Sequence, residues 1–216
     1  MRLEGAAREG ATRMQPAGTR TTPKRPATPA NVKGTLVIAR MKYLTAQGHE
    51  ASERVLRRLT QADQSVLRGM LLPSTWYPAD LLARLEMTIA AVLARGDRGA
   101  LFLGMGQFSA DTNLGTNGVQ RPYLREGDPH FLLANVPRMY ASQHTAGVRS
   151  YQQTGPQSAI IRTASEGGEV DADDCLTAVG WLRRAIELSG GKAVTVDEAR
   201  CRAKGAEACE FVCKWV

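Results

Sequence analysis

The hydrophobic periodicity of this 216-residue chain changes once along its length. Up to about residue 146, apolar residues recur every three or four positions, which is typical of amphipathic helices. Beyond residue 151, short stretches rich in alternating and β-branched residues predict strands. This order predicts an α+β fold, in which N-terminal helices pack with a C-terminal antiparallel sheet that carries one crossing helix.

The first part of the chain carries several helix signals. Pro78–Arg95 has Pro78 at its first turn and an apolar stripe along one face. Asp128 precedes Pro129 as a cap for a helix over His130–Ala146, in which Pro137 predicts a kink or a split. Further helices are predicted over Glu50–Leu59, Gln61–Met70 and Gly99–Leu114.

The last third of the sequence predicts a hairpin, a helix and a second hairpin. Tyr151–Gln153 and Ser158–Thr163 predict the first pair of strands. A helix follows, with Asp171 as its N-cap, and ends at the Gly190-Gly191 pair. The closing strands are predicted over Ala193–Arg202 and Ala208–Trp215, with Gly205 between them.

The positive charge of the chain is concentrated at its N-terminus. Residues 1–33 hold seven basic and two acidic side chains, which leaves a net charge of only +2 for residues 34–216. Four prolines, five threonines and no aromatic residue predict that residues 1–33 form a disordered basic tail before a single domain over 34–216. Such a tail is either a weak electrostatic arm for nucleic acid or a solvated leader, and translation starting at Met14 is a further alternative. We do not expect nucleic acid to bind outside this tail.

The composition of the sequence predicts neither a membrane span nor a secretory leader. Its longest apolar runs fall far below the roughly 20 residues needed to cross a bilayer. The N-terminal residues MRLEGAAREG lack the apolar core of a signal peptide. We therefore expect a cytoplasmic protein with no membrane partner.

All four cysteines lie within the last 42 residues. Cys201 and Cys209 are equidistant from Gly205, so that a simple hairpin places them opposite each other, with Cβ atoms about 5 Å apart. Cys175 lies in the first turn of the preceding predicted helix, where the helix dipole favours a thiolate. This arrangement suits a shared metal ion.

The fourth donor has two candidates. Glu198 precedes Cys201 by three residues, so that in a regular strand the two side chains point to opposite faces, and both can bind one ion only if a bulge or strong twist intervenes. Cys213 shares a face with Cys209 but lies about 13 Å along the strand. We favour Cys175, Glu198, Cys201 and Cys209 as a closed structural Zn²⁺ site. Buried small thiols, or a disulfide or redox pair, are the alternatives.

Four further residues are candidates for a ligand pocket. Trp76 and Tyr77 stand at the entrance to a predicted helix, and His130 and Tyr140 lie in the segment after Asp128. Aromatic side chains with a few polar groups are typical of pockets for small apolar molecules. Ordinary core packing, with satisfied histidines, is the alternative.

The C-terminal segment resembles a known family. The run Glu198–Phe211, preceded by a helix that opens with Cys175, resembles the 4-vinyl-reductase-type small-molecule-binding domain, which is similar in fold to haem nitric-oxide-binding and Golgi transport-particle proteins. In the aromatic-sensing members a zinc ion is held by a helix Cys, a Glu and two Cys, at the offsets of Cys175, Glu198, Cys201 and Cys209. The resemblance thus implies zinc and a small-molecule ligand.

Two further stretches of the chain carry a weaker resemblance to a known family. Leu71–Pro78 and the Gly180-Trp181 pair also resemble an uncharacterised paralogous family abundant in myxobacteria. The His and Trp that hold a phenol in the phenol sensors have no counterparts in register. No phosphate-binding GxxxxGK[ST] motif occurs.

These observations predict a non-enzymatic, cytoplasmic sensory or regulatory domain that binds a small apolar ligand and acts through a homodimer or a protein partner. A protein-interaction module without a ligand, as in the transport-particle relatives, is the alternative. An enzyme is the remote third hypothesis, because no nucleophile or acid–base set is recognisable in the sequence.

Overall fold

The computed structural model of the protein describes residues 30–164 and 172–216. Most of the predicted basic tail and the predicted cap Asp171 lie outside these residues. The helices within them are α1 (Gly34–Ala46), α2 (His49–Leu56), α3 (Gln61–Arg68), α4 (Ala79–Leu93), α5 (Arg98–Leu114), α6 (Pro129–Gln143) and α7 (Ala172–Leu188). The strands within them are β1 (Asn31–Lys33), β2 (Trp76–Pro78), β3 (Val148–Gly155), β4 (Ser158–Ala164), β5 (Thr195–Arg200) and β6 (Ala208–Lys214).

The N-terminal layer begins with a short antiparallel pairing of β1 with β2. Val32 is opposite Tyr77 and is buried, and the Lys33 ammonium lies 4.0 Å from the centre of the Trp76 ring. The predicted tail is therefore wrong at residues 31–33, because burial of Val32 fixes this strand to the domain. Pro78 has extended backbone angles and belongs to β2, so that the helix begins one residue later than predicted.

Helices α1 to α4 and the first half of α5 enclose the first apolar cluster. Its core includes Val37, Leu85, Ile89 and Phe102, all fully buried. The predicted helices over 50–59, 61–70 and 99–114 are present with shortened or shifted ends. Helix α1 was not predicted from the sequence.

The C-terminal layer is a four-stranded antiparallel sheet, in the order β3-β4-β6-β5, among the described residues. Helices α6 and α7 pack against it and enclose the second apolar cluster with Ile161, Phe211, Leu182 and Ile186. The α+β prediction is confirmed, and both predicted hairpins are present. The sheet carries α6 in addition to the one crossing helix predicted.

Helix α6 is capped as predicted, since the Asp128 side chain accepts a hydrogen bond from the Phe131 amide at 2.9 Å. The helix continues through Pro137 from Pro129 to Gln143, so that of the two predicted outcomes the split does not occur, and the kink stays a prediction. A proline inside a helix costs about 3 kcal/mol. Burial of Val136 before it and of Met139 after it offsets that cost.

Helices α5 and α7 connect the two layers. Phe102 and Met105 of α5 belong to the first cluster, whereas Ala110 and Leu114 belong to the second. The helices cross closely at two glycines: a Cβ added to Gly106 or to Gly180 would lie 2.1 Å from a backbone oxygen of the other helix. No described helix is long and apolar enough to cross a membrane.

Candidate metal centre

Three elements of the C-terminal layer bring the four predicted donors together. Cys175 lies in the first turn of α7, Glu198 on β5, Cys201 directly after β5, and Cys209 on β6. One ligand atom from each residue lies within 4.8 Å of the other three. The structure therefore places at one point four side chains that are up to 34 positions apart in the sequence.

The sulfur atoms have the spacing of ligands that share one ion. The Sγ atom of Cys175 lies 3.8 Å from that of Cys201 and 3.5 Å from that of Cys209. Tetrahedral zinc with Zn–S bonds of about 2.3 Å separates its sulfurs by roughly 3.8 Å. A disulfide requires about 2.05 Å. All three thiols are free and no more than 4% exposed.

A bulge in β5 lets the side chains of Glu198 and Cys201 face the same side of the strand. Glu198 is opposite Phe211, whereas Arg200 is opposite Glu210, so that the register shifts by one residue between these pairs. The extra residue reverses the strand's alternation, and Glu198 and Cys201 then face the same side. The bulge that the sequence required for a common ligand role is present.

The Glu198 carboxylate is oriented for a ligand role. Its Oε1 atom is buried and has no hydrogen-bond partner. Its Oε2 atom lies 3.8 Å from the Lys204 ammonium, which is largely exposed. A buried carboxylate oxygen without a donor is costly unless a cation compensates it, and carboxylate is a known ligand of zinc.

The surroundings of the thiols disfavour free thiolates. Burial raises the pKa of Cys175, and the neighbouring Glu198 and Cys209 raise it further. Burial, followed by Glu198, also raises the pKa of Cys201. A divalent cation reverses this balance because a coordinated thiol loses its proton. The backbone amide of Arg202 lies 3.4 Å from the Cys209 sulfur and can donate to it.

Cys213 lies outside this cluster. It is fully buried between Ala159 and Val196 of the neighbouring strands. Burial, followed by the charge of Asp197, raises its pKa to about 12. Cys213 is therefore a buried small apolar side chain of the sheet, and Glu198 is the fourth member of the cluster.

Of the four predicted pocket residues, His130 and Tyr140 lie apart on one helix, whereas Tyr77 pairs with Val32, which also bridges to His144 beside Tyr140. His130 and Tyr140 lie ten residues apart on α6, which is about 15 Å along a helix. His130 contacts Tyr151 and the Pro156 carbonyl, whereas Tyr140 stacks on His144. Trp76 is 41% exposed, and the Tyr77 hydroxyl accepts from the Leu72 amide. The ten-residue spacing along a predicted helix already indicated the distance between His130 and Tyr140.

One open cleft of about 570 Å³ lies beside the α1–α2 turn. Its lining includes His49, Glu50, Arg54 and Arg95. These side chains make it polar, unlike the apolar pocket predicted between the helices and the sheet.

Arg149 of β3 lies beside the cysteine cluster and was not predicted as a functional residue. It is opposite Thr163 of β4, which in turn is opposite Cys209 of β6. These three side chains form one row across the sheet on the face covered by the helices. No local motif marks Arg149, because only the strand pairing brings it there.

The segment that builds this centre matches a described family. A family model described as "Protein of unknown function (DUF2378)" matches residues 105–216, just over half of the chain. The chain belongs to the DUF2378 family. The DUF2378 segment contains α6, α7, the whole four-stranded sheet and all four clustered donors. No curated protein matches the chain.

Solved structures resemble the DUF2378 chain in fold. An H-NOX protein from S. oneidensis in the Fe(II)NO ligation state is 15% identical, with a TM-score of 0.61 over 85% of this chain and 99% of that chain. A mutant H-NOX protein from K. algicida in the Fe(II) unliganded state is 11% identical, with a TM-score of 0.60 over 85% and 96%. An oxygen-binding H-NOX domain related to soluble guanylate cyclases is 11% identical, with a TM-score of 0.61 over 85% and 94%.

The TM-scores show that this chain and the H-NOX proteins share a fold. The predicted likeness to haem nitric-oxide-binding proteins is confirmed at that level. The closer relation to 4-vinyl-reductase-type domains and to a myxobacterial paralogous family stays a prediction.

Proposed function

We propose that this chain is a non-enzymatic, cytoplasmic sensory or regulatory domain with a structural zinc centre formed by Cys175, Glu198, Cys201 and Cys209. The observation that carries the proposal is the convergence of three buried thiols and an unpaired carboxylate within 4.8 Å. Four protein donors complete a tetrahedral zinc site and leave no position for a substrate, which favours a structural role.

The centre would hold the start of α7 against the closing hairpin of the sheet. Cys175 is the single donor from α7, and the other three donors belong to β5, β6 and the turn between them. Helix α7 contacts the turn that joins β5 to β6 directly. Zinc supplies binding free energy to the folded state alone, so that its removal would loosen this junction.

A sensory role is supported by the fold and by the position of α7. H-NOX proteins of the same fold are described as binding oxygen or NO. Helix α7 packs on the sheet through Leu182 and Ile186 and reaches the N-terminal cluster through Leu176. A small apolar ligand between the layers would shift the packing of α7 and thereby change a dimer or partner surface.

His130 and His49 do not fit the role of a haem ligand. Both ring nitrogens of His130 have hydrogen-bond partners, Tyr151 and the Pro156 carbonyl. His49 lies exposed in the polar cleft. His144 is stacked on Tyr140, and its Nδ1 atom is bonded to the Tyr140 carbonyl. We assign a haem to none of these residues.

A protein-interaction module is the second candidate. One observation favours it: apolar side chains from the end of α3 to the first residue of β2 are exposed, including Met70 at 86%, Leu72 at 48% and Trp76 at 41%. Clustered exposed apolar side chains mark contact surfaces. Retention of a small molecule by the purified protein would favour the sensor, and a stable protein complex without one would favour the module.

A zinc competition titration tests the metal centre. The metal-free protein is titrated with zinc against a chromophoric chelator, alongside Cys201→Ser and Cys213→Ser. We expect one tight zinc per chain in the wild type and in Cys213→Ser, because Cys213 lies outside the cluster. Cys201→Ser should lose tight binding and the zinc-dependent rise in melting temperature. Equal zinc binding by both variants would reject the site.

Native mass spectrometry of the protein purified from its own host tests the sensory part. The expected species carries one zinc per chain and a small organic molecule, and its mass gives the oligomeric state. A protein that carries zinc but never a small molecule, even after incubation with apolar compounds, would contradict the sensor and leave the interaction module.

A further inference from the structure

The cysteine cluster has a positively charged neighbour within the sheet. Arg149, Thr163 and Cys209 occupy one row across β3, β4 and β6. The Arg149 Nε group donates to the Thr163 hydroxyl at 3.0 Å, which holds the guanidinium over the middle of that row. Since adjacent strands lie about 4.8 Å apart, the guanidinium is one strand away from the Cys209 backbone.

Among residues 30–164 and 172–216, the structure gives no ion pair to the Arg149 guanidinium. By contrast, Arg162 on the opposite face of β4 is paired with Glu210 at 3.0 Å. The Arg149 side chain is partly buried, and its guanidinium lies 4.6 Å from the centre of the Tyr140 ring. Burial lowers the pKa of Arg149, while Tyr140, Cys175 and Cys209 favour its charged form.

The charge of a filled centre matches this arrangement. Three thiolates and one carboxylate carry four negative charges, so that a divalent cation leaves the centre with a net charge of −2. The exposed Lys204 ammonium lies 3.8 Å from Glu198 Oε2, and Arg149 lies in the same row of the sheet as Cys209. Arg149 and Lys204 together carry two positive charges, equal in size to the net charge of −2. Arg202, whose backbone amide donates to Cys209, adds a third cation to the surroundings of the centre.

We propose that Arg149 is the internal counter-charge of the metal centre, a positioning residue that stabilises the three-thiolate form of Cys175, Cys201 and Cys209. The inference rests on the proposed zinc site and adds a residue to it. A partly buried guanidinium without a carboxylate is unfavourable alone and becomes favourable beside an anionic centre. Arg149 would thereby select a divalent metal bound by all three thiolates.

Zinc competition with Arg149→Met and Arg149→Lys tests this role. Both substitutions remove the Nε hydrogen bond to Thr163, but only Arg149→Lys keeps the charge. We expect Arg149→Met to lower zinc affinity about 10- to 100-fold, the range of substitutions next to metal ligands, and Arg149→Lys to restore most of the loss. Arg162→Met is the matched control on the other face of the sheet and should keep wild-type affinity.

Two further readouts separate charge from packing. In the metal-free protein, Arg149→Met should melt no lower than Arg149→Lys, because methionine removes a partly buried charge that the neutral thiols do not balance. In the Co²⁺-loaded protein, the sulfur-to-cobalt absorption band should move in Arg149→Met and not in Arg162→Met. Equal zinc affinities for the Met and Lys variants would overturn the counter-charge role while leaving the zinc site intact. Absence of zinc binding by the wild type would overturn both.

Discussion

At the residue scale, the convergence of the four predicted donors could be predicted from the sequence, and their charged neighbour could not. Thiols and carboxylates have specific metal chemistry, and symmetric spacing around Gly205 predicted that Cys201 and Cys209 would approach each other. Arg149 carries no such signal. Its relation to Cys209 depends on the register of three strands, which one sequence does not specify. Residue types and their spacing therefore predicted the cluster, whereas the charged residue beside it depends on strand register.

His144 gives a pH-dependent prediction at the same scale. Burial, followed by the charge of Arg149, lowers the pKa of His144 from 6.5 to about 4. Between these values the unfolded chain binds a proton that the folded chain does not. The free energy of unfolding therefore falls as pH drops from 6.5 to 4, by about 3 kcal/mol for this group.

Denaturant titrations of the metal-free protein across this pH range check the prediction. His144→Phe keeps an aromatic ring beside Tyr140 and removes the proton site, so that the decline in stability should become shallower. His49→Phe, at an exposed histidine, is the control and should keep the wild-type decline. An unchanged profile in His144→Phe would contradict the assignment.

At the element scale, long amphipathic segments were predicted and short or charge-bearing ones were missed. Helix α1 buries Arg40, which forms an ion pair with Glu86 and donates to the Met105 carbonyl at 3.1 Å. A charged residue on the buried face interrupts the apolar stripe that marks a helix. Strands β1 and β2 have three residues each, too few to show alternation.

The α5–α7 crossing gives a prediction for whole elements. Gly106→Ala places a methyl group 2.1 Å from the Thr177 carbonyl oxygen and 2.8 Å from the Trp181 amide nitrogen. The helices must separate, and we expect a loss of about 1–3 kcal/mol in the free energy of unfolding. Gly104→Ala, two residues away in α5, meets no atom within 4 Å and should be neutral or stabilising by up to about 1 kcal/mol.

Thermal or denaturant unfolding of the two variants is the measurement. Because both replace glycine by alanine in the same helix, their difference isolates the contact with α7. A Gly106→Ala protein as stable as Gly104→Ala would show that the two helices do not cross as closely as described.

At the scale of the whole molecule, α5 and α7 make the two apolar clusters interdependent. Each helix contributes side chains to both clusters, and α7 begins at the cysteine cluster. The α+β class followed from the change in periodicity along the chain. The pairing order of the sheet and the location of any pocket did not, because both depend on contacts between residues far apart in sequence.

In the proposed centre, three sulfurs and one carboxylate oxygen hold one zinc ion. X-ray absorption spectroscopy of the zinc-loaded protein measures this coordination directly. We predict three sulfur neighbours at about 2.3 Å and one oxygen at about 2.0–2.2 Å, with the oxygen contribution altered in Glu198→Ala. A shell of four sulfurs, which would bring in Cys213, or a shell of nitrogen and oxygen alone would contradict the account.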